Sequence, residues 1–135
     1  MALVQWDEEL SVKVVEIDRQ HQKLIRMMND LYSAMRQGKG TDVLGGILDE
    51  LVDYSKEHFG TEEKYFERFG YPEASQHKKE HANFVRKVEQ FKNDFQAGKV
   101  CLSVEVMTFL SNWLQNHIRQ SDKRYQPVFH ENGLR

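Results

Sequence analysis

The chain has 135 residues, 39% of them hydrophobic and 30% charged, and its 19 basic and 21 acidic residues are interspersed to a net charge of −2. With no basic block and no interleaving of basic and aromatic residues, nucleic acid is not an expected partner, and no stretch is apolar enough to insert into a membrane. The lone Cys101 cannot form an internal disulfide, and acidic residues stand where a signal peptide would need positive charge, so the expected location is cytoplasmic.

At this length a single domain spanning residues 1–135 is expected. Residues 1–17 read as an arm around Trp6, packed along the outside. Asp18 is the expected N-cap of a first helix running to about Gln37, in which Leu24, Ile25, Met28, Leu31, Tyr32 and Met35 recur at helical spacing and Gly38 supplies the stop. Thr41 or Asp42 would cap a second helix reaching about Phe69, with Leu44, Ile47, Leu48, Leu51, Val52 and Tyr54 as its apolar stripe. Its Gly45, Gly46 and Gly60 each weaken it by roughly 1 kcal/mol relative to Ala. Gly70-Tyr71-Pro72 then breaks the chain, and a third helix runs from about Glu73 to Gln96 on Phe84, Val85, Val88, Phe91 and Phe95. Cys101 reads as a small packing residue near the next helix start. Ser103 would cap a fourth helix, carrying Val106, Phe109, Leu110, Trp113, Leu114 and His117, which Pro127 would end, leaving 128–135 as a tail. No strand or repeat signal is present. The expected architecture is all-α, an up-down-up-down antiparallel four-helix bundle over residues 18–127.

Residues four apart on a helix share a face, so His58 with Glu62, and His77 with His81, could each grip a metal ion from one side. Singly these residues are unremarkable. Antiparallel neighbours, however, bring the start of one helix beside the end of the next. His21, His58, Glu62, His77, His81, His117 and Asp122 then meet at one end of the bundle. Burying that set without a ligand would leave many polar groups unsatisfied. His130 has no such company and reads as surface. Imidazole and carboxylate without thiolate favour iron, manganese or zinc, and seven ligands are too many for one tetrahedral zinc, so two metals are implied. The Glu-x-x-His pairs of dicarboxylate oxidases are missing from the sequence.

The arm around Trp6-Asp7-Glu8, the stretches Ile17-Asp18-Arg19-Gln20-His21, His58-Phe59-Gly60-Thr61-Glu62-Glu63 and His77-Lys78-Lys79-Glu80-His81, and Trp113-Leu114-Gln115-Asn116-His117-Ile118 followed by Asp122 together resemble the hemerythrin family in its stand-alone bacterial form. The resemblance implies two iron ions in a non-haem, oxo- or hydroxo-bridged di-iron centre that binds O2 reversibly. By the same resemblance His77, His81 and His117 would hold one iron and His21 and His58 the other, with Glu62 and Asp122 bridging. One coordination position would stay open on the iron with two histidines. Leu114 resembles the family's apolar pocket residue beside that position. Phe59, Phe66, Trp113 and Tyr125 would be pocket walls or plain core. The implied function is O2 storage, transport or delivery without turnover. The alternatives are O2 or redox sensing through a partner, and di-iron peroxide or nitric oxide reduction.

His117 and Asp122 are five apart, which separates them by about 140° on a regular helix. For both to reach one centre, the fourth helix must be loosened there, by a π-bulge or an early end.

Overall fold

The computed structural model describes residues 5–100 and 102–135. Four long helices follow one another: α1 (Val15–Arg36), α2 (Gly40–Phe69), α3 (Ala74–Gln96) and α4 (Leu102–Trp113), with no strand among the described residues. Each buries the stripe its periodicity marks, such as Leu24, Ile25, Met28 and Leu31 on α1, or Phe84, Val88 and Phe91 on α3. α1 packs on α2 and α4, and α3 packs on the same two, which is the antiparallel four-helix bundle. The turn between α2 and α3 is set by Gly70 in the left-handed region (φ 63°), where the Tyr71 N–H donates to the Phe66 carbonyl at 3.0 Å. That reversal faces the His58 end of α2 with the His77 end of α3.

Helix starts differ from the sequence reading. α1 begins at Val15, and Asp18 lies in its first turn without capping it. Its carboxylate instead reaches back, accepting from Ser11 Oγ at 2.6 Å and the Val12 N–H at 2.9 Å, and so folds the arm onto the helix. Asp18→Ala should lower stability by roughly 1–3 kcal/mol and speed amide exchange at Val12; unchanged exchange would mean the arm is held elsewhere. α2 begins at Gly40 with no side-chain cap, neither Thr41 nor Asp42 serving. A Cβ at Gly40 would lie 2.9 Å from Met35 Cγ and 3.1 Å from Ser103 Oγ, so close packing of three elements fixes this start. Ser103 falls inside α4, and Cys101 lies outside the described residues.

After α4 the chain does not stop at Pro127. It continues as a π-helical segment (Leu114–Ser121), a 3₁₀ turn (Asp122–Tyr125) and a short helix α5 (Gln126–Glu131). Pro127 sits in the first turn of α5, where its missing N–H is no loss. The described part of the arm turns inward where the sequence reading put it along the outside: Val12, Val14, Ile17, Tyr65, Phe66, Tyr71, Tyr125 and Phe129 form a second buried cluster that closes one end of the bundle. His130, read as surface, is half-buried and bonds the Lys13 carbonyl at 2.9 Å, tying the last helix to the arm.

Candidate metal centre

Between the main core and this end plug lie His21, His58, Glu62, His77, His81, His117 and Asp122, each at most 3% exposed. They form two overlapping ligand groups. One is Glu62, His77, His81, His117 and Asp122; the other is His21, His58, Glu62 and Asp122. The two carboxylates are common to both.

The π-helical segment makes this possible. The Asp122 N–H donates to the His117 carbonyl five residues back, so the two side chains stand one above the other, and Asp122 Oδ1 lies 2.9 Å from His117 Nε2. Asp122 Oδ1 also lies 2.8 Å from His77 Nε2, while Oδ2 lies 3.0 Å from His21 Nε2. One carboxylate thus turns an oxygen to each group. Glu62 is less even: Oε1 lies 3.2 Å from His58 Nε2 and 3.1 Å from His81 Nε2, and Oε2 accepts from the Tyr125 hydroxyl. The Nε2 atoms of His21 and His58 are 3.1 Å apart.

The His21–His58 contact and that of the Tyr125 hydroxyl are hydrogen bonds, but the carboxylate–imidazole approaches lack hydrogen-bond geometry. Glu62 Oε1, both oxygens of Asp122, and Nε2 of His77, His81 and His117 are buried with no hydrogen-bond partner. Orphaned buried groups are costly, and five of the seven residues contribute to this set. Neighbouring ligand atoms on an octahedral ion with bonds of about 2.1 Å lie about 3.0 Å apart, the spacing seen here. The donor set therefore fits metal ions held in two neighbouring groups that have both carboxylates in common.

The outer ring nitrogens are held so that the inner ones face the centre. His58 Nδ1 meets Gln20 Oε1 at 2.6 Å, His81 Nδ1 meets Glu63 Oε2 at 2.8 Å, and His117 Nδ1 meets Glu80 Oε1 at 3.1 Å, where Ser121 Oγ also donates at 2.8 Å. A proton kept on Nδ1 leaves the Nε2 lone pair free for a metal. Ring planes are fixed by stacking: Phe59 on His81 and Trp113 on His117, each at 3.9 Å, and Tyr54 on His58 at 5.2 Å. Phe66 packs edge-on to His77 at 4.8 Å. The sequence reading missed Gln20, Glu63, Glu80 and the Tyr125 hydroxyl. Their one signal is adjacency: the first three each flank a candidate ligand in the chain.

Without metal the site is electrostatically tense. Burial alone would push both carboxyls up, yet the surrounding imidazoles hold Glu62 below and Asp122 well below the usual range. Burial lowers His58, whereas for His117 burial is outweighed by Asp122, Glu80 and Glu62, which lift it to about 10. His81 is raised as well: burial opposes, and its contacts with Glu62 and Glu63 prevail.

A bundle of four antiparallel helices that buries five imidazoles and two shared carboxylates at one end defines a metal-binding helical-bundle protein. The family profile described as the hemerythrin HHE cation binding domain matches residues 12–129. Relatives include the bacteriohemerythrin of Stenotrophomonas maltophilia (strain R551-3), 41% identical over 93% of this chain and 80% of that protein, and the bacteriohemerythrin of Methylococcus capsulatus, 34% identical over 94% and 97%. A crystal structure of wild-type hemerythrin superposes with a TM-score of 0.84 at 33% identity, covering 94% of this chain and 98% of that one. The chain belongs to the hemerythrin family.

Proposed function

We propose that this protein binds O2 reversibly, for storage or delivery, at a non-haem di-iron centre held by His77, His81 and His117 on one side and His21 and His58 on the other, with Glu62 and Asp122 shared. The observation that carries the reading is the set of buried imidazole nitrogens and carboxylate oxygens 2.8–3.2 Å from their neighbours, six of them with no hydrogen-bond partner. Two ferrous ions bound there would supply the electrons and the coordination position by which O2 is taken up and released. The chain's part is to orient the imidazoles through Gln20, Glu63 and Glu80, to hold Glu62 by the hydrogen bond that the Tyr125 hydroxyl donates, and to exclude water. Exclusion falls to Leu114, buried at the start of the π-helical segment, to the aromatic platforms and to the end plug. The single cysteine in the whole sequence supports a reducing, cytoplasmic setting.

The test is to measure iron per chain and then to follow the visible spectrum of the reduced protein as O2 is added and removed. A band that appears and disappears over repeated cycles is expected; irreversible bleaching with consumption of O2 would refute carriage. Glu80→Ala should weaken metal binding about 10–100-fold in chelator competition. Unchanged affinity would mean that stacking on Trp113 alone orients His117.

A further inference from the structure

Three aromatic rings lie flat against imidazoles of the centre, and they are not equivalent. Phe59 offers only carbon to its surroundings, and Trp113 is half-buried at the bundle surface. Tyr54 is 1% exposed and brings a hydroxyl into the core, where that oxygen has no hydrogen-bond partner. Tyr125, just as deeply buried, satisfies its own hydroxyl on Glu62. A buried hydroxyl without a partner is destabilising, and Phe would fill the same shape without that penalty. Tyr54 precedes His58 by one turn of α2, and its ring runs alongside that imidazole at an interplanar angle of 16°. Its other ring neighbours, Phe59 and Phe84, present only carbon.

We propose that the Tyr54 hydroxyl is a hydrogen-bond donor to the small ligand taken up at the half of the centre held by His21 and His58. This rests on the function proposed above, because a ligand must bind there to accept the bond. A phenol is protonated at neutral pH, so the hydroxyl is available as a donor. The consequence is selectivity. Ligands carrying charge at their outer end, such as small anions, are favoured over neutral ones of equal size.

The experiment compares wild type with Tyr54→Phe, both loaded with iron and oxidised, using azide as the probe. Both should hold the same iron. The variant should bind azide about tenfold more weakly, the loss expected for one hydrogen bond to a charged acceptor. Its azide stretching band should lose the shift between H2O and D2O that wild type shows. Equal affinity and an equal isotope shift would overturn the proposal. Wild type that takes up neither iron nor azide would overturn the proposed function and this inference with it. A second arm uses the metal-free proteins: Tyr54→Phe should melt no lower than wild type. A drop of several degrees would show the hydroxyl bonded within the chain, and would equally overturn the proposal.

Discussion

Asp122→Ala is expected to strip the protein of both metal ions, whereas His58→Ala should cost mainly one of the two. The difference follows from sharing: Asp122 belongs to both ligand groups and turns one oxygen to each, while His58 belongs to one group only. In the proposed centre, losing Asp122 would remove a bond from each ion and also the negative charge that would compensate two cations in a dry site. Each affinity should fall by at least about a hundredfold, so purified Asp122→Ala should contain almost no iron by elemental analysis. His58→Ala should retain iron on the side of His77, His81 and His117 and lose the O2-dependent band. Circular dichroism should remain helical in both, since α1 to α4 bury long apolar stripes away from the centre. Full iron content in Asp122→Ala would refute the bridging role.

The long helices were legible because their stripes repeat over many turns; those of α2 and α3 give both length and inward face. The pairs His58 with Glu62 and His77 with His81 were legible for the same reason, the four-residue spacing fixing a shared face. Even the loosening of the fourth helix could be read from the five-residue step between His117 and Asp122, as a π-bulge or an early end, and the structure has the π-helical form. The end plug could not. Leu10, Val12 and Val14 are too few to show a period, and Phe129 follows a proline that usually ends helices. Nor could the outer hydrogen bonds: Gln20 meets His58 across 38 residues and Glu80 meets His117 across 37, pairings that depend on how helices rotate against one another. The start of α2 at Gly40 depends likewise on contacts from Met35 and Ser103.

Removing the metal should reverse the way stability responds to pH. In the metal-free protein His117 titrates at about 10, against an ordinary 6.5 when unfolded, and His81 shifts in the same direction. Between those limits the folded state holds protons that the unfolded state has released, so stability falls as pH rises through the window. His58, lowered by burial, opposes only below 6.5, where the unfolded chain protonates and the folded one does not. Glu62 and Asp122, held low, contribute stability above about pH 4 that is lost on further acidification. Metal-free protein should therefore be most stable near about pH 5–6.5 and should melt lower at pH 9, by roughly 5–10 °C. The metal-loaded form must behave in the opposite sense, because every imidazole lone pair that binds an ion has to be free of its proton, and protons compete less as pH rises. Thermal melts at pH 6 and pH 9, with and without a strong chelator, measure both trends. The gap in melting temperature between loaded and stripped protein should widen at the higher pH. A metal-free protein whose melting temperature rises from pH 6 to 9 would show that the imidazoles do not hold their protons against the buried carboxylates.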